Sequence, residues 1–120
     1  MMTPECIADV GNWLWKPDAE PEPMAEAVIR SAANRLYYSA YHRALRMADA
    51  KKFQLKSVAK GSHDKLIKRL ADNNASLLSR KLRSMKEIRC HADYDLTLQF
   101  EEKHLKEMSL RLADVVSLTQ

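Results

Sequence analysis

The chain has 120 residues, of which two are glycine and four proline, and a formal net charge of +4. That length suits one domain with a true core, and a composition rich in Ala, Leu, Lys, Arg, Glu and Met predicts an all-α antiparallel bundle of four to five helices and excludes a sheet protein. Cys6 and Cys90 lie far apart without metal-ligand spacing, no apolar run approaches a membrane span, and Glu5 and Asp9 stand where a signal peptide would be basic, so the expectation is a soluble cytoplasmic protein with reduced thiols, no metal, no cofactor and no membrane partner.

The predicted elements run as follows. A short helix over residues 4–15 is set by Ile7, Val10, Trp13 and Leu14, which recur at spacings of three and four. The stretch KPDAEPEP, residues 16–23, holds three prolines and reads as a connection. Pro23 suits the first turn of the next helix. From Met24 to about Lys52 an unbroken i, i+3, i+4 series runs through Ala32, Ala33, Leu36, Tyr37, Ala40, Tyr41, Ala44 and Ala48 and predicts a long central helix. QLKSVAKGSH, residues 54–63, breaks the period, and Ser62 is the expected N-cap of a short helix ending near Asp72. Asn73 and Asn74 mark a turn. A fourth helix over residues 77–94 carries Leu78, Leu82, Met85 and Ala92 along one stripe, and a last one, roughly 98–118, is set by Leu105, Met108, Leu112, Val115 and Val116. The whole, with a core bundle over 24–118, is expected to be a single up-and-down domain, because short loops make neighbours antiparallel.

Basic residues concentrate between positions 43 and 89, and acids in 18–26 and 93–107. This asymmetry fits a nucleic-acid partner and equally a solvated basic face. The stretch RLYYSAYH, residues 35–42, is more specific. At about 100° per residue, Arg35, Tyr38, His42 and Arg46 fall on one polar stripe, whereas Tyr37 and Tyr41 turn towards the core. The stripe reads either as a solvent-facing edge or as one wall of a site.

On the fourth helix Arg89 lies within about 20° of Leu82, on the apolar stripe where a core residue belongs. Asp93, four residues on, is its natural partner. Desolvating such a pair costs several kcal/mol per ion, so it is a weak source of stability. It reads either as an ion pair that fixes register or as a guanidinium held in a crevice for phosphate or RNA. Cys90 and His91 flank the stripe. No glycine-rich phosphate loop, nucleophile elbow or paired histidine motif occurs.

Two segments resemble a known family. RSAANRLYYSAYHRA, residues 30–44, is similar to the signature of the first long helix of HEPN domains, and LRSMKEIRCHADYD, residues 82–95, to their second conserved helix in the subgroup reading Arg-x-x-Ala-Asp-Tyr. GSHDKLIKRL resembles the family's middle helix. The resemblance spans roughly residues 24–118. It implies a helical bundle that forms a homodimer with the arginines of both subunits in a shared cleft, near Arg35 and Arg89. It also implies a metal-independent ribonuclease of toxin-antitoxin or antiphage type, often beside a nucleotidyltransferase-type partner protein.

By that resemblance Arg89 takes the family's conserved arginine position and acts on the RNA phosphate. The catalytic pattern, however, places a histidine after four to six intervening residues, where this chain has Tyr94, Asp95 and Leu96. His91 is turned about 200° from Arg89 on the same helix. Proton transfer therefore falls to His42 or Tyr94, with Arg35, Tyr38, Asp93 and His91 as binding residues. The alternative is a non-catalytic module of the same kind that binds RNA, a nucleotide or a partner protein.

Overall fold

The computed structural model describes residues 2–14, 25–97 and 99–120, without the side chain of Leu14. Five helices occupy this part of the chain: α1 (Pro4–Leu14), α2 (Ala25–Ala50), α3 (Ser62–Asp72), α4 (Ser76–Tyr94) and α5 (Glu102–Leu118). None is long and apolar enough to cross a membrane. The predicted connection 16–23, with Trp15 and Met24 at its edges, lies outside the described residues.

α2 is the central element, and it is built on small side chains. Ala32, Ala33, Ala40, Ala44 and Ala48 are fully buried, small side chains of the kind that let neighbouring helices pack close to a backbone. Leu78, Leu82, Met85 and Ala92 of α4 and Leu105, Met108, Leu112 and Val115 of α5 are buried as their spacing predicts, and Leu66, Ile67 and Leu70 of α3 and Phe100 complete the core with Leu36 and Tyr37.

The direction of each helix follows from its contacts. Arg30, near the start of α2, meets the end of α4 at His91, Ala92 and Asp95, so these two run antiparallel. Lys81 pairs with Asp114, and His91 packs on His104, which makes α4 and α5 antiparallel as well. α3 departs from the up-and-down expectation. Tyr37 meets His63 and Asp49 meets Arg69, so α3 runs parallel to α2. The 51–61 connection makes this reversal by returning along α3. Arg69 donates to the Phe53 carbonyl, Lys68 to that of Val58, and Asp72 accepts from the Lys56 and Ser57 amides.

Three other expectations are corrected. Gly61, with extended backbone, is the N-cap of α3, and Ser62 is its first helical residue. α5 begins at Glu102 rather than near residue 98, because the Phe100 amide donates to Glu26 Oε1 and its ring is buried against His91 and His104. A capping box between Glu101 and His104 then starts the helix. On α1 the apolar series is not the packed face: Trp13 is 70% exposed and Val10 is also exposed. α1 docks instead through Pro4, Ala8 and Gly11. A Cβ at Gly11 would lie 3.2 Å from the Ala32 carbonyl oxygen, Arg35 Cβ and Leu36 Cδ2, so size rather than hydrophobicity selects this face.

The loop and helix-end carboxylates predict the response to acid. Asp72 is held below the usual carboxylate range chiefly by the Ser57 hydroxyl and then by the Lys56 amide, and Glu26 by the Phe100 amide and then Arg30. Because their folded pKa values lie below the unfolded ones, their contribution is complete above the unfolded values and is lost as pH falls through the folded ones. The urea midpoint is therefore expected to decline from about pH 5 downward. Asp72→Asn should flatten that slope; an unchanged profile in this variant would refute the assignment.

Candidate functional site

The polar stripe of α2 and the arginine of α4 meet. Arg89 is 8% exposed at its side chain, and its Nη1 lies 3.3 Å from Asp93 Oδ2. The same carboxylate oxygen accepts from Asn34 Nδ2 at 2.8 Å, which ties α2 to the pair. Three tyrosine rings enclose the guanidinium. Its Cζ is 5.3 Å from the centroid of Tyr37, 5.7 Å from Tyr38 and 5.5 Å from Tyr94. The negative ring faces partly replace the water that burial removes, so the charge is carried by π-systems as well as by Asp93.

The guanidinium is not fully satisfied. Arg89 Nε is buried without a hydrogen-bond partner. Nη2 makes no protein hydrogen bond among the described residues and is not among the fully buried atoms, so it keeps some access to solvent. Beside it Tyr94 is 71% exposed, with the Arg89 guanidinium over its ring. An open groove of about 300 Å³ is lined by Arg30, Asn34, Arg35 and Asp93, the last being the ion-pair partner of Arg89.

The predicted residues divide accordingly. Arg89, Tyr38, Tyr94 and Asp93 come together, and Arg35 joins them through the groove. Tyr38, expected on an open edge, is half-buried against the core. Tyr37 is fully buried as expected, while Tyr41 is only partly so. His42 sits one ring further out, packed on Tyr38 and Tyr41 rather than on Arg89. His91 points away, to Phe100 and His104, with Nε2 buried and unpartnered.

Two residues that sequence reasoning passed over prove central. His63, from the first turn of α3, places Nδ1 2.6 Å from the Tyr37 hydroxyl and packs against Tyr37, Tyr38 and Tyr41. Burial lowers its pKa, and Arg89 and Lys86 lower it further. Burial in turn raises that of Tyr37, against the opposing pull of Arg89. Both partners are therefore neutral at pH 7. Arg30 donates through Nη1 to the carbonyls of His91, Ala92 and Asp95 at 2.9–3.2 Å and pairs with Glu26, so it holds the end of α4 that carries Asp93 and Tyr94. The position of each in a segment likened to a HEPN helix, His63 in the middle one and Arg30 at the start of the first long one, was the signal beforehand.

Searches against family models, curated proteins and solved structures return no match for this chain. Its chemistry is thus read from its own geometry. Among the described residues no group of three or more His, Cys, Asp or Glu side chains is gathered to hold a metal ion. What the face offers is a planar cation with a free N–H edge, an exposed aromatic ring next to it and a half-buried imidazole across the same tyrosines.

Proposed function

We propose that this chain is a cytoplasmic, HEPN-like helical module that grips single-stranded RNA on the tyrosine face around Arg89 and does not cleave it. One observation carries the reading: the exposed Tyr94 ring lies 5.5 Å from a guanidinium whose Nη2 is open. A base stacks on such a ring in any sequence, and the adjoining N–H edge meets its phosphate. Cleavage lacks the histidine that the likened catalytic pattern uses as proton acceptor. The family's histidine position is filled by Tyr94, Asp95 and Leu96, His91 faces α5, and His42 lies beyond Tyr38. The ribonuclease reading draws on the contact of the Tyr94 ring with Arg89, which puts a phenol within the site as a proton donor.

Fluorescence anisotropy with a labelled oligouridylate tests this, with the RNA recovered afterwards on a denaturing gel. Tyr94→Ala is expected to weaken binding by about 1–3 kcal/mol, the usual worth of one stacked base, and wild-type protein to leave the RNA intact. Unaltered affinity in Tyr94→Ala would remove the proposal, and cleavage in the presence of a chelator would put the ribonuclease in its place. The resemblance further proposes a homodimer through the Arg35 edge and a nucleotidyltransferase-type partner. Sedimentation at high micromolar concentration checks the first, with a monomer as the refuting result.

A further inference from the structure

The Tyr37–His63 contact lies outside the residues assigned above to RNA. We propose that Tyr37 fixes His63 as the tautomer with its proton on Nε2, and that this N–H is a second donor to an RNA phosphate, across the tyrosines from Arg89. The inference rests on the RNA-binding reading and adds a residue to it.

The argument is one of hydrogen-bond accounting. Tyr37 is fully buried, and among the described residues its hydroxyl has one partner, His63 Nδ1 at 2.6 Å. A buried hydroxyl with a single partner gives that partner its proton, because the donor would otherwise be stranded. Nδ1 is then the acceptor nitrogen, and a neutral imidazole must carry its hydrogen on Nε2. That atom makes no protein hydrogen bond and is not buried, so the donor points outward. The rings of Tyr37, Tyr38 and Tyr41, at 5.5, 5.8 and 4.9 Å, hold the imidazole in place. Tyr38 is shared: the guanidinium of Arg89 lies 5.7 Å from its centroid and the ring of His63 5.8 Å, so the two donors border one tyrosine.

Chemically, a neutral donor of this kind contributes direction without charge. Arg89 and Lys86 both disfavour a second positive charge at His63, which keeps the imidazole a donor rather than a cation. The one lone pair of the imidazole, on Nδ1, is taken up by the Tyr37 hydroxyl and so is not free to abstract a 2′-hydroxyl proton, in keeping with binding instead of cleavage. Tyr37 is a positioning residue, since it acts only through the imidazole.

The test is anisotropy titration of the labelled oligouridylate across a salt series with wild type, His63→Ala and His63→Gln, each checked for its fold by far-UV circular dichroism. His63→Ala is expected to bind about tenfold more weakly. His63→Gln, whose side-chain amide keeps an N–H, should return to within about threefold of wild type. The slope of log affinity against log salt should be the same in all three, because no cation is removed. Nitrogen-15 shifts of the imidazole should report the proton on Nε2 in the free protein. The proposal is overturned if His63→Ala binds as wild type does, if His63→Gln is no better than His63→Ala, if the salt slope falls, or if the proton is found on Nδ1. RNA binding by wild type with an indifferent His63→Ala would defeat this inference alone, whereas no binding by wild type would defeat the RNA reading and this donor with it.

Discussion

Replacing Arg89 by alanine is expected to lower the free energy of unfolding by about 3 kcal/mol, the low end of the range for stranding one member of a buried pair. Two features set the size. The carboxylate left behind, on Asp93, is 22% exposed and keeps the Asn34 amide, so its isolation is incomplete. Against that, three tyrosine rings lose the cation they enclose, each such contact being worth about 0.5–2 kcal/mol before overlap. The double change Arg89→Met with Asp93→Asn should recover most of the loss, since it fills the volume and removes the lone charge. Urea denaturation of both variants decides the point. A loss below about 1 kcal/mol for the alanine variant would mean that the pair behaves as a surface contact and that the enclosure contributes nothing.

Arg30→Ala is expected to cost about as much, by a different route. A helix C-terminus leaves its last carbonyls without intrahelical partners, and here one guanidinium nitrogen serves three of the groups at the end of α4. The charge also complements the negative end of the helix dipole. The second nitrogen holds Glu26, whose carboxylate in turn accepts the Phe100 amide, and the guanidinium lies 5.6 Å from the Phe100 centroid. Charge-assisted bonds of this type contribute about 1.5–3 kcal/mol each where buried, and they are not additive, so a total near 3 kcal/mol follows. Arg30→Lys should restore less than half, because an ammonium cannot span the carbonyls as a planar fork does. Hydrogen exchange should quicken at the Asp95 amide, which donates to the His91 carbonyl. A variant as stable as wild type with unchanged exchange there would rule this role out. Since Tyr94 sits on the same turn, RNA affinity should fall with it.

The helices that pack by periodic large residues were legible from spacing. α4 shows this best: its stripe of Leu78, Leu82, Met85 and Ala92 is buried, and the arginine out of place on it proved to be the centre of the candidate site. Contacts formed by the absence of a side chain were not legible, which is why the docked face of α1 was misplaced onto Trp13 when Gly11 makes the close approach. Partnerships across distant segments were hidden for another reason. His63 joins Tyr37 only because the 51–61 connection folds back and lays α3 parallel to α2. The partners of Arg30 are backbone carbonyls, which every residue possesses and no motif can mark.

The alanine face of α2 has a consequence for the order in which the chain can assemble during synthesis. Alanine side chains bury little apolar area each, so α2 leaving the ribosome gains only part of its burial by packing on α1. Its partners beyond α1 and α3 lie in α4 and α5, and the carbonyls that receive Arg30 belong to residues 91–95. Until those residues are made, α2 has α1 and α3 to close on but lacks its contacts with α4 and α5. Folding is therefore expected to be late and concerted rather than progressive, with the nascent chain dependent on its last third.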